Sequence, residues 1–117
     1  MSDFKIYHNP RCSKSRATLA LLEEHGISPE IVLYLDTGPD SDELSGLLGK
    51  LSMKASDLVR RGEDAYKESG LSKNSSEQDI IAAMSEHPKL IERPIVVKGE
   101  RAVLGRPPEN VLGLLSE

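Results

Sequence analysis

The sequence of 117 residues holds a single cysteine, Cys12, so no internal disulfide is available. That usage fits a reducing compartment. No apolar run is long enough to cross a bilayer. No secretory leader opens the chain either, because Met1 to Lys5 is polar and no apolar stretch follows. A cytoplasmic location is the expectation. One cysteine and three scattered histidines, His8, His25 and His87, do not supply the clustered ligands of a metal site. A Gly-x-Gly-x-x-Gly phosphate cradle is absent. The net charge of −4 gives no general affinity for nucleic acid. Repeats and low-complexity segments are lacking, and the length suits one domain, residues 1–117, with a core that needs no disulfide or metal.

What is present centres on Ile6-Tyr7-His8-Asn9-Pro10-Arg11-Cys12-Ser13-Lys14-Ser15-Arg16. Phe4 and Ile6 alternate with polar residues, which predicts a short strand. Asn9-Pro10 is a turn signal. Ala17, Leu19, Leu21 and Leu22 then recur at helical spacing as far as Gly26, a C-terminal stop. Cys12 is thus placed at the mouth of a helix, where unpaired backbone N–H groups point at its sulfur. The thiolate is the reactive form, and a free cysteine titrates near ~8.5. Lowering that by two units takes about 2.7 kcal/mol, whereas a helix N-terminus supplies ~0.3–1 kcal/mol. Cations must add the rest. Arg11, Lys14, Arg16 and, if protonated, His8 are the nearest in sequence. A lone cysteine is more often a buried small hydrophobe. The polar, basic surroundings of Cys12 favour a reactive one.

Further along, Glu30-Ile31-Val32-Leu33-Tyr34-Leu35 reads as a buried strand, parallel to the first through a βαβ crossover. Helices are expected from Ser41, with Leu44, Leu47, Leu48 and Leu51 on one face, and over Ser56 to Arg61. Residues 63–74 are polar and irregular in part, anchored by Tyr66 and Leu71. Ser75-Ser76-Glu77-Gln78 is a capping-box start for a helix carrying Ile80, Ile81, Ala83 and Met84. Residues 93–97 and 102–104 flank Lys98-Gly99-Glu100 as an antiparallel hairpin. Pro107-Pro108 opens a last helix with Val111, Leu112 and Leu115 on one face. The order predicts an α/β, thioredoxin-like fold: a mixed four-stranded sheet with a helical insertion about 41–74. In that plan a cis-proline faces the active cysteine, and Pro94 is the candidate.

Taken together, Tyr7-His8-Asn9-Pro10, Cys12, Ser15-Arg16, Leu33-Tyr34-Leu35, Arg60, Arg93-Pro94-Ile95-Val96-Val97 and Arg106-Pro107 resemble the glutaredoxin-coupled arsenate reductases along essentially the whole chain. The resemblance implies a nucleophile at Cys12 and an oxyanion-binding set of Arg60, Arg93 and Arg106. It implies supporting roles for His8, Asn9, Ser15 and Pro94. Some members carry a second cysteine just before the last arginine; here that place is Gly105, and the chain resembles a shorter branch of the family.

The chemistry that follows is reduction of arsenate to arsenite through a Cys12 thiol-arsenate adduct. The resemblance implies no bound cofactor, with reduced glutathione as the co-substrate. With no second cysteine to resolve a mixed disulfide, an external thiol protein must do so, and the resemblance implies that this partner is glutaredoxin. Read without the resemblance, Arg60 beside Arg61 is a solvated helix face, whereas Arg106 beside a helix-opening proline is a good oxyanion neighbour. The phosphatase-like arsenate reductases place an arginine six residues after the cysteine, where this chain has Thr18. Two other readings keep Cys12: a redox regulator binding RNA polymerase, and a glutathione-dependent thiol reductase of unknown substrate. The arginine set favours the enzyme.

Overall fold

The computed structural model describes residues 4–72 and 74–115. In chain order the elements are β1 (Phe4–Tyr7), α1 (Ser13–Glu24), β2 (Glu30–Val32), α2 (Tyr34–Thr37), α3 (Ser41–Leu51), α4 (Ala55–Leu58), α5 (Asp64–Glu68), α6 (Glu77–Glu86), a 3-10 turn (Pro88–Leu90), β3 (Ile95–Lys98), β4 (Arg101–Leu104), a second 3-10 turn (Pro108–Val111) and α7 (Leu112–Leu115). The chain divides into two compact units, Met1–Tyr34 with Arg93–Glu117, and Leu35–Glu92.

The first unit is built on a four-stranded mixed sheet in the order β2-β1-β3-β4. β1 and β2 are parallel, with Ile6 opposite Ile31. β1 and β3 are antiparallel, with Ile6 opposite Val96. β3 and β4 form the antiparallel hairpin, turning at Gly99 with φ of 60°. This is the thioredoxin-like arrangement that the element order predicts. Phe4, Ile6, Leu22, Val96, Val111 and Leu114 make one core cluster, with Leu19, Leu21, Ile27, Val103 and Leu115 packed against it. Each such aliphatic side chain contributes about 1.5–3 kcal/mol when fully buried.

Three sequence expectations shift here. β2 stops at Val32, and as the sheet edge it leaves Ile31 48% and Leu33 40% exposed. The apolar run 30–35 is therefore not a strand buried on both faces: α2 begins at Tyr34, the residue of that run that is buried. The buried face of α1 carries Ser15, Thr18 and Leu22 rather than an all-apolar stripe. The closing helix begins with a 3-10 turn that buries Val111, and the α-helical turn after it buries Leu114, packs Leu115 against the core and leaves Leu112 exposed.

The second unit is helical. Leu44, Leu47 and Leu48 of α3, and Ile80, Ala83 and Met84 of α6, are buried, and the two helices pack together. Asp40 caps α3 by accepting from the Glu43 N–H at 2.8 Å, and Ser76 caps α6 by accepting from the Asp79 N–H at 3.1 Å. The helix expected over 56–61 is the shorter α4, because Val59 bridges Ile91 in extended conformation and the Arg60 N–H donates to the Leu90 carbonyl. The Glu77 carboxylate accepts from the Ala55 and Ser56 N–H groups, capping α4 from a distant part of the chain. Within 63–74, α5 is regular and Ala65 is its buried anchor; Tyr66 and Leu71 are half-buried, and Lys73 lies outside the described residues. No helix among the described residues is long and apolar enough to cross a membrane.

Candidate active site

The segment between β1 and α1 folds by local chemistry. Asn9-Pro10-Arg11-Cys12 is a turn closed by the Cys12 N–H donating to the Asn9 carbonyl at 3.0 Å. Proline at its second position presets φ, and the Asn9 side chain accepts from the Arg11 N–H at 3.0 Å. Cys12 is the N-cap of α1 in extended conformation, and its carbonyl accepts from the Arg16 N–H at 3.0 Å. Cys12 is half-buried, and its side chain closes no capping hydrogen bond of ordinary geometry.

Behind this turn, Ser15 is fully buried and its Oγ lies 2.6 Å from His8 Nδ1. The same oxygen accepts from the Asn9 N–H at 3.0 Å. The Ser15 side chain therefore ties the end of β1 to the first turn of α1. His8, Ser15 and Thr18 are the buried polar residues among those described, and all three flank Cys12 in sequence. Buried polar groups require partners, and these three have them.

From the far end of the chain, two segments run alongside each other just beyond the β3–β4 ladder. The Gly105 N–H donates to the Pro94 carbonyl at 2.9 Å, one rung past the Ile95–Leu104 pair. Arg106 Nη1 donates to the Arg93 carbonyl at 3.3 Å. Asn110 Nδ2 donates to the carbonyls of Leu104 and Arg106 at 3.1 Å each, holding the entry to the second 3-10 turn. Arg93–Pro94 is a cis peptide, as the thioredoxin-like plan expects of Pro94, and Arg106–Pro107 is a second.

These segments bear on the thiol. Burial pushes the Cys12 pKa up; the Ser15 N–H, the positive charge of Arg93, the Lys14 N–H and a hydrogen bond from Arg93 push it down, and the net result is a lowered value. The helix mouth acts as the sequence suggests. The cation does not: the charge acting on the sulfur is Arg93, brought in by the fold, rather than the neighbouring Arg11, Lys14 or Arg16 side chains. Nor is His8 a cationic partner. Burial lowers its pKa, so the ring is neutral at neutral pH. A neutral ring can accept the Ser15 hydroxyl proton at Nδ1 while that hydroxyl accepts from Asn9.

The lowered His8 pKa has a sign for stability. Between the folded value and the unfolded value of about 6.5, the unfolded chain binds more protons, so stability falls as pH falls. Wild-type protein is expected to lose more unfolding free energy than His8→Asn between about pH 7.5 and about pH 5.5, by urea denaturation. Equal losses would place the titration elsewhere.

Arg60 stands in the second unit. Its Nη1 meets the Glu63 carboxylate at 2.5 Å and its Nε lies 3.6 Å from Glu92. Two carboxylates thus offset its charge locally. Arg61 is exposed and donates to the Ser56 carbonyl at 3.0 Å. Among the described residues no group of His, Cys, Asp or Glu side chains could hold a metal ion. Sequence reasoning missed Thr18 and Asn110. The available signal for Thr18 was its place in the 15–18–22 stripe, a polar residue where the helix faces inward.

A mixed sheet with a single cysteine of lowered pKa at a helix mouth, and an arginine that acts on it and precedes a cis-proline, defines a thioredoxin-like protein with one thiol. Residues 7–114 match the model of the ArsC family. The chain is 49% identical over 117 residues to the arsenate reductase of Neisseria meningitidis, covering 98% of this chain and all of that one. It is 56% identical over 113 residues to the uncharacterized protein YfgD of Escherichia coli, covering 95% of each. Its structure is similar to that of an arsenate reductase from Vibrio cholerae, with a TM-score of 0.90 and 51% identity over 94% of this chain and 95% of that one. The chain belongs to the ArsC family.

Proposed function

We propose that this protein is an arsenate reductase in which Cys12 is the nucleophile and Arg93 and Arg106 hold the oxyanion. The observation that carries the reading is the Cys12 thiol, favoured as its anion by backbone N–H groups and Arg93, in a chain of the ArsC family. Arsenate is a multiply charged anion attacked by another anion, so fixed positive charge must offset the repulsion. Guanidinium groups do this, staying charged and donating in a planar fork. Arg60 enters this reading through the family resemblance alone.

In the first step the Cys12 thiolate attacks arsenic and an As–O bond breaks, the oxygen leaving as water once protonated. A glutathione thiolate then attacks the Cys12 sulfur of that adduct. The S–S bond forms, the S–As bond breaks, and its electron pair leaves on arsenic, so As(V) becomes arsenite while two thiols become one mixed disulfide. Cys12 has no internal thiol partner. A glutaredoxin thiolate attacks the glutathione sulfur and returns Cys12 as thiolate.

The test is arsenite formation by purified protein with arsenate, glutathione and glutaredoxin. Arg93→Ala and Arg106→Ala are each expected to lower kcat/KM by about tenfold or more. Arg61→Ala, a surface change, should stay within about twofold. No arsenite from the wild type overturns the reading, and equal losses in all three variants would reduce it to a general charge effect.

A further inference from the structure

We propose that Thr18 is a positioning residue for this site: its hydroxyl bolts the helix that carries Cys12 to the paired segments that carry Arg93 and Arg106. The inference rests on the Cys12–Arg93 pairing described above.

Thr18 is fully buried on α1. Its Oγ1 lies 2.8 Å from the Lys14 carbonyl and 3.2 Å from the Gly105 carbonyl. A threonine hydroxyl has one proton to donate, so it is shared between these acceptors. Within the helix ladder the Lys14 carbonyl already faces the Thr18 N–H, four residues on. Gly105 is the acceptor through which the hydroxyl reaches outside its own helix. On the far side, the Gly105 N–H donates to the Pro94 carbonyl, and Arg106 Nη1 donates to the Arg93 carbonyl. One hydroxyl therefore joins α1, at whose mouth Cys12 sits, to both arginine-bearing segments.

The fit at this junction is close. A Cβ on Gly105 would fall 2.5 Å from Thr18 Oγ1, 2.9 Å from Thr18 Cγ2 and 2.9 Å from Pro94 Cγ. Thr18 thus meets the arginine segments in two ways, through a hydrogen bond and through a methyl. Two substitutions separate them. Thr18→Val keeps the methyl and removes the hydroxyl; Thr18→Ser keeps the hydroxyl and removes the methyl.

Cys12 is the only cysteine, so the pH dependence of its alkylation by iodoacetamide reads its ionisation without any contribution from other thiols. In Thr18→Val the midpoint is expected to rise by about half a unit, as Arg93 loosens from the sulfur. The KM for arsenate should rise by roughly threefold or more. In Thr18→Ser the midpoint should stay at the wild-type value although thermal stability falls from the lost methyl. A purely structural role predicts instead that the midpoint follows thermal stability, so that a destabilised Thr18→Ser is also perturbed. A wild-type midpoint in Thr18→Val overturns the inference. So does a raised midpoint in Thr18→Ser, which decides the matter alone if the valine variant does not fold. Alkylation needs no arsenate, so the inference stands or falls separately from the proposed reaction.

Discussion

Cys12→Ser is expected to be inactive and at least as stable as the wild type. A serine hydroxyl stays protonated at neutral pH, so no nucleophilic anion forms, and arsenite production should fall by at least about a thousandfold, to background. Stability should move the other way. Cys12 occupies the N-cap of α1 and closes no capping hydrogen bond with its side chain. Serine is among the preferred N-cap residues, and an oxygen there can accept from the orphan N–H groups that now only polarise the sulfur, a gain of up to about 1 kcal/mol. The cap position is thus held by a residue poorly suited to capping a helix. Arsenite formation and thermal unfolding on the same preparation check both halves. Retained turnover removes Cys12 as nucleophile; lost turnover with an unfolded protein would say nothing for the thiol.

Gly105→Ala should be the most destabilising small change in the first unit. The added methyl has no path to relax, because its three nearest neighbours are both branches of a buried threonine and a ring carbon of buried Pro94. Overpacking of this kind costs about 1–3 kcal/mol, or roughly 5–15 °C in Tm for a chain of this size. Thr18→Ala in the same chain removes two of the three clashes, so the double variant should be more stable than the sum of the single losses predicts. Additive losses would show that the two residues do not meet. The same geometry bears on the relatives that resemblance credits with a cysteine at this place: here Thr18 and Pro94 fill the volume that its side chain would need.

The turn and helix start around Cys12 were legible in the sequence because they are made by neighbours. Proline at 10 presets a dihedral, Asn9 bonds within its own turn, and the N–H groups that favour the thiolate belong to Lys14 and Ser15, two and three residues on. The parallel pairing of β1 with β2 and the 95–104 hairpin followed from handedness and from the turn at Gly99, for the same reason. β2 was misjudged because a short apolar run carries no mark of how many strands will flank it. Its place at the sheet edge is decided by what else pairs with β1.

The cation beside the sulfur was likewise beyond a linear reading. Electrostatic influence follows distance through space, and the basic residues adjacent to Cys12 in the chain point to solvent. Arg93 is delivered by the sheet register and by the stitching of Gly105 to Pro94 and Thr18. His8 could be seen from its position beside the cysteine turn, yet its protonation could not, since that depends on burial. Order along the chain alone marks the one thiol and its place at a helix mouth. Tertiary structure alone decided which charge reaches it, because a chain's order fixes neighbours along the backbone, and only packing fixes neighbours in space.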